Sequence, residues 1–177
     1  MVDKVEASGM QVPTTKRRMS LIFESKSFLV EAPPHPLIDR DDGGHITITP
    51  GKRVGTIQEL DPDHAIELMR LMIVVGEAMT IGMNKNGVDI GRINYQDNGN
   101  WSVFKPEGPY QHVHLYGRAR SAKIQKYGQA CYFPHRDEHP EFYASLKPLT
   151  ENDVEEIRSQ IHVLLAHNKY SNLLWGI

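Results

Sequence analysis

This 177-residue sequence predicts an α+β fold, a histidine-bearing antiparallel sheet packed with one long helix and a C-terminal helix. Three observations lead there. Short segments of alternating hydrophobicity come as neighbours joined by hairpin-like connections. A single long helical stripe divides them, and a second helix start lies near Thr150.

Residues 1–18 mix Gly, Pro, Thr and charges without periodicity and read as a flexible arm, which leaves 19–177 as one domain. Leu21-Ile22-Phe23 marks a short element, and Phe28-Leu29-Val30 a strand that Pro33-Pro34 forces into an extended exit. The run from Asp39 to Gly44 is a turn by composition. His45-Ile46-Thr47-Ile48-Thr49 then alternates until Pro50, with His45, Thr47 and Thr49 on one face and Ile46 and Ile48 on the other. Asp61 caps a helix whose first position is Pro62, where a missing N–H costs nothing. Ile66, Met69, Ile73 and Met79, with Leu68, Met72 and Val75 beside them, give it an apolar stripe as far as about Met83.

Gly87 ends the helix, and residues 88–95 alternate again as a strand. A polar loop over 96–108, pinned by Trp101, Val103 and Phe104, leads to Pro109-Tyr110-Gln111-His112-Val113-His114-Leu115-Tyr116-Gly117, which reads as a strand. Thr150 and Asp153 form a capping-box-like start for a helix carrying Val154, Ile157, Ile161, Leu164 and Leu165.

Composition excludes several function classes. A hydrophobic content of 40%, a charged content of 24% and a net charge of −2 describe an ordinary globular chain with no basic excess for nucleic acid. No apolar run reaches the roughly 18 residues a membrane span requires, and the N-terminal residues lack the apolar core of a signal peptide. Cys131 is the only cysteine, which rules out an intrachain disulfide and a paired-thiolate zinc site. A cytoplasmic setting is expected.

The chemistry concentrates in 109–117. In a strand, Tyr110, His112, His114 and Tyr116 share one face, so two imidazoles stand side by side just ahead of Arg118. One imidazole can act as nucleophile at phosphorus while the other donates a hydrogen bond. The same spacing also suits a metal, with His45 as a third ligand. Metal-binding barrels with this spacing continue with a glutamate where this chain has Arg118, and a cation favours phosphate over a divalent metal. Neither a metal nor another cofactor is therefore expected.

These residues resemble the signature of the histidine triad (HIT) superfamily of nucleotide hydrolases and transferases. With Pro109 and Arg118 laid on that signature, Tyr110 takes the first histidine position, His112 the second and His114 the third. Gly44-His45-Ile46-Thr47-Ile48-Thr49-Pro50 resembles the family's GHxLxxP strand. Lys52-Arg53-Val54, Glu59-Leu60 and the segment from Ile93 to Gly99 follow in the family's order. The resemblance covers residues 20 to 120 and leaves the last 50 or so outside it.

The resemblance implies a hydrolase or nucleotidyl transferase acting at the α-phosphate of AMP-containing compounds, such as dinucleoside polyphosphates or nucleoside phosphoramidates. In that reading His112 attacks phosphorus and forms a nucleotidyl-histidine, His114 hydrogen-bonds the phosphate or leaving oxygen, and His45 supports the cluster. Tyr110, Asn94, Gln96, Asn98 and Lys105 are the candidate substrate contacts; His35, Asp39 and Asp42 fall where the family's base and ribose contacts arise, and a solvated turn is the favoured reading for them over a ribose contact. A homodimer that joins two sheets is implied as well. Two alternatives stay open on the residues alone: a noncatalytic nucleotide sensor, in which Tyr110 has ended turnover, and the metal site on His112 and His114.

Overall fold

The computed structural model describes residues 19–97 and 102–177; the expected arm at 1–18 and the candidate Asn98 lie outside the described residues. Strands β1 (Ser20–Glu24), β2 (Phe28–Ala32), β3 (His45–Pro50), β4 (Ile90–Asp97) and β5 (Val113–Ala119) form one sheet in the order β1-β2-β3-β5-β4. Every neighbouring pair is antiparallel. The expected α+β architecture is therefore present. Because β5 enters between β3 and β4, the strand of His45 lies directly beside the strand of His114.

Helix α1 (Pro62–Lys85) starts as expected, with the Asp61 carboxylate accepting the His64 backbone N–H. Gly87 follows its end at φ +83°, a conformation that glycine adopts without a Cβ clash. The buried stripe is Leu68, Leu71, Val74, Val75, Ala78, Met79 and Met83, whereas Ile66 and Met69 are exposed. The sequence-predicted stripe is thus rotated in its first two turns. The reason is that Glu67 turns inward there to accept the Ser27 backbone N–H, which brings the opposite side of the helix outward.

Between the two long helices lies the short helix α2 (Pro140–Ser145), and α3 (Glu151–Leu165) follows it. Helix α3 has the capping box, with Thr150 and Asp153 exchanging hydrogen bonds. Asp153 is 0% exposed and also accepts both the Nε and Nη2 protons of Arg40 at 2.9 Å. Burial alone would raise its pKa; the hydrogen bonds from Arg40, Thr150 and Asn86 outweigh burial and hold it at about 2. Arg40 further donates to the Asn86 carbonyl, so one ion pair locks the end of α1, the turn before β3 and the start of α3. Together α1 and α3 cover one face of the sheet, over Phe28, Val30, Ile46, Ile48, Val113 and Leu115.

The opposite face is only partly covered. There Leu37, Ile38, Tyr116, Tyr143 and Leu146 form a second buried cluster, joined by Phe133 and by Phe142 of α2. The last helix, α4 (Asn172–Trp175), lies near α1. No described helix is long and apolar enough to cross a membrane.

Two strands are displaced from expectation: β4 spans Ile90–Asp97 where residues 88–95 are expected, and β5 starts late. Residues 109–112 are not paired as strand, and β5 begins at Val113. Its last partners, Ile48 on β3 and Asp97 on β4, both lie opposite Val113, and the Gln111 N–H turns instead to the Val54 carbonyl. The side-chain alternation nevertheless persists into the unpaired stretch.

Candidate functional site

The uncovered end of the sheet is a cleft of about 630 Å³, within the range of small-molecule sites. The cross-strand register lays its floor. Glu31 pairs with Thr47, Thr47 with His114, and His114 with Gln96, one row running across four strands. All four residues line the cleft, as do His45, His112, Tyr110 and Lys105.

The rings form a continuous ladder. Tyr110 stacks on His112 at 4.6 Å, His112 meets His114 edge-on at 4.4 Å, and His114 stacks on Tyr116 at 5.4 Å. Beyond Tyr110, the Arg53 guanidinium covers the phenol ring at 5.2 Å and donates to the carbonyls of Glu107, Gly108 and Pro109. The nucleophile candidate is thereby held by a cation–π and stacking sandwich.

Hydrogen bonds assign the tautomers. The Leu37 backbone N–H donates to His45 Nδ1 at 3.1 Å, so the proton of His45 is on Nε2. That Nε2 lies 2.8 Å from His114 Nδ1 and donates to it, which puts the proton of His114 on its own Nε2. At the neighbouring ring, His112 Nδ1 lies 3.0 Å from the Tyr110 carbonyl oxygen, an acceptor only, so this nitrogen carries a proton and Nε2 keeps its lone pair. The site therefore offers one nitrogen lone pair on His112 beside one N–H donor on His114.

Burial fixes these states. His114, 7% exposed, has its pKa driven down to about 3 by burial and then by the nearby His112. His45 is lowered well below its ordinary value by burial, then by His114 and His112. Both rings stay neutral near pH 7.

The remaining candidates divide. Gln96, Lys105, Tyr110 and His35 line the cleft. Asn94 does not; its side-chain oxygen lies 3.4 Å from Arg118 Nη1 as an acceptor. Asp39 accepts the backbone N–H groups of Asp41 and Lys147. Asp42 accepts those of Lys123, Ile124 and Gln125 at 2.7–2.8 Å. Both aspartates hold the C-terminal segment in place, and neither lines the cleft.

Arg118 also departs from expectation. Its guanidinium is 3% exposed and does not reach the cleft; it donates to the carbonyls of Gln125, Lys126 and Gln129 and to the Cys131 Sγ. The cation expected beside phosphate instead fastens the loop that forms one wall. That wall brings Cys131, Phe133 and Arg136 to the cleft, three residues that local pattern did not mark for chemistry, and the same holds for Glu31 on the floor. The aromatic cluster Tyr132-Phe133 and Phe142-Tyr143 was the available signal for a covering segment. Among the described residues no group of three or more His, Cys, Asp or Glu side chains is arranged to hold a metal ion.

Comparison with known proteins bears on the fold. No protein-family model and no curated protein matches the chain. Solved structures do. A hypothetical histidine triad nucleotide-binding protein from Sulfolobus tokodaii strain7 superposes with a TM-score of 0.55 at 18% identity, over 85% of this chain and 88% of that one. A zinc-bound histidine triad family protein from Mycobacterium smegmatis gives 0.53 at 15% identity, over 84% and 87%. A Hit-like protein involved in cell-cycle regulation from Bartonella henselae, with an unknown ligand, gives 0.52 at 12% identity, over 84% and 88%.

Proposed function

We propose that this chain, which has the fold of the histidine triad proteins, is a hydrolase or nucleotidyl transferase acting at the α-phosphate of an AMP-containing compound. The observation that carries the reading is the bond from His112 Nδ1–H to the Tyr110 carbonyl, which leaves the Nε2 lone pair available in the cleft. His112 Nε2 attacks the α-phosphorus, and the bond from phosphorus to the leaving group breaks with its electron pair. A polyphosphate leaving group departs as the anion, and an amine takes its proton from water.

In the nucleotidyl-histidine the ring is cationic, and its Nδ1–H stays bonded to the Tyr110 carbonyl, which disperses that charge. His114 Nε2–H donates to the phosphoryl oxygens, which gain charge as the leaving group departs. Lys105 and Gln96, both lining the cleft, supply further donors. Water then attacks phosphorus, releases AMP and sheds its proton to solvent, and His112 returns to its starting state.

The departure at Tyr110 is compatible with turnover, because the group His112 uses there is a backbone carbonyl that any residue supplies. The proposal extends to a homodimer whose pairing joins two sheets and to work in the cytoplasm. Incubation of the protein with adenosine 5′-phosphorimidazolide followed by intact mass measurement tests the chemistry. A covalent gain of one AMP is expected in the wild type and absent from His112→Ala. A wild-type protein that gains nothing and releases no AMP would sink the proposal.

A further inference from the structure

A second cavity, of about 670 Å³, lies on the helix side of the sheet and shares no lining residue with the histidine cleft. The turn between β1 and β2, the first three turns of α1, the end of α3 and Asn172 of α4 bound it. Phe23, Leu71 and Leu165 give it an apolar wall. Nothing in the chemistry above uses it.

Two charged side chains are drawn into this cavity from one face of α1, Glu67 and Arg70, three residues apart. Opposite charges at that spacing can pair, yet among the described residues no ion pair joins these two. Backbone groups hold each of them instead. Glu67, 8% exposed, accepts the Ser27 N–H at 3.1 Å through Oε1. Half-buried Arg70 donates from Nε to the Tyr170 carbonyl at 2.8 Å. That bond orients the guanidinium, and its two Nη groups have no hydrogen-bond partner among the described residues. A carboxylate likewise has lone-pair sites beyond the one a single N–H occupies. Burial alone would raise the Glu67 carboxyl; hydrogen bonds from Ser25 and Ser27 outweigh it and hold the group below its ordinary value, so it is anionic near pH 7. The other charges at the cavity are committed or exposed. Asp61 accepts the backbone N–H of His64 and bonds its ring, while Asp63 and Lys26 stand in solvent with opposite signs.

We propose that this cavity binds a free α-amino acid with an apolar side chain, its carboxylate on the paired Nη groups of Arg70, its ammonium on Glu67 and its side chain against Phe23, Leu71 and Leu165. An Nη pair matches the two oxygens of a carboxylate, and an anionic carboxylate matches an ammonium. An α-amino acid carries both charges on one carbon and so bridges two neighbouring side chains that do not meet each other. A dicarboxylate would face like charge at Glu67, and a diamine would face it at Arg70.

Titration of the isotope-labelled full chain, followed by NMR at the Ser27 amide, tests the assignment with L-leucine, L-leucinamide, N-acetyl-L-leucine and glycine. L-Leucine is expected to shift that amide saturably. The other three lack the carboxylate, the ammonium or the side chain, and each should bind at least about tenfold more weakly. Glu67→Gln should weaken L-leucine about tenfold or more and leave N-acetyl-L-leucine unchanged. Arg70→Gln should weaken L-leucine to a similar degree and leave L-leucinamide unchanged. A folding defect would weaken every ligand alike, so it cannot produce this crossed pattern, and the wild-type series decides by itself where a variant does not fold. The proposal is overturned by a Ser27 amide that L-leucine does not shift, by an amide or acetyl derivative that binds as tightly as L-leucine, or by variants that bind all four ligands as the wild type does.

Discussion

His112 and Arg118 stand six residues apart on one side of the same chain segment, and both were read from sequence as groups for phosphate. His112 opens into a 630 Å³ cleft, while Arg118 is sealed against three backbone carbonyls. Chemical type does not separate them, since both are nitrogen groups on the polar side of that segment. What lies over each one separates them. The segment 120–146 folds back across Tyr116 and Arg118, driven by burial of Tyr143, Leu146 and Phe133, and stops short of the histidines. Polar residues on an uncovered face stay open to a ligand; the same kind of residue under a loop becomes its fastening.

Paired substitutions at the two positions give the largest effects and run in opposite directions. His112→Ala should lower turnover by about four orders of magnitude or more while shifting unfolding free energy by less than about 1 kcal/mol. Arg118→Met should cost at least about 3 kcal/mol of stability in urea denaturation, because it strands several buried carbonyls. Should Arg118→Met unfold at the wild-type urea midpoint, the contrast fails, and the loop is held by Asp42 and the aromatic cluster alone.

Acid probes the same contrast with a smaller effect. The pKa values of His45 and His114 are depressed in the folded protein, to about 3 for His114, against an ordinary histidine value near 6.5. Below pH 6.5 the unfolded chain therefore binds protons that the folded chain refuses. The stability contributed by these neutral rings is present above that pH and is lost as pH falls toward the folded value. Between pH 6.5 and 5, before carboxylates titrate, the unfolding free energy should drop by on the order of 1 kcal/mol per pH unit for each ring. A His45→Gln/His114→Gln variant should show a shallower slope over that window. An unchanged slope would mean that water reaches both rings.

The smallest effect is expected at Tyr110. Its ring is 38% exposed and stacks between Arg53 and His112, while the bond to His112 comes from its backbone. Tyr110→Phe retains both features, so turnover should stay within about threefold of wild type. A loss beyond about a hundredfold would assign a proton-transfer role to the phenol and bring the first position of the motif into the chemistry.

Whatever depends on neighbours along the chain was legible in the amino-acid sequence. The caps at Asp61 and Thr150, the alternation that separates His45 and Thr47 from Ile46 and Ile48, and the shared side of Tyr110, His112, His114 and Tyr116 are all consequences of helical and strand periods. Features that need distant partners appeared only in the folded chain. The inward turn of Glu67 that rotates the α1 stripe, the conversion of Arg118, Asp39 and Asp42 into anchors, and the row from Glu31 to Gln96 each require a register between strands or a covering segment far away in the chain. Pairing of that kind is set by burial on both partners at once. For that reason the histidines could be found by reading, whereas the cross-strand row that aligns His114 with Glu31 and Gln96 could not.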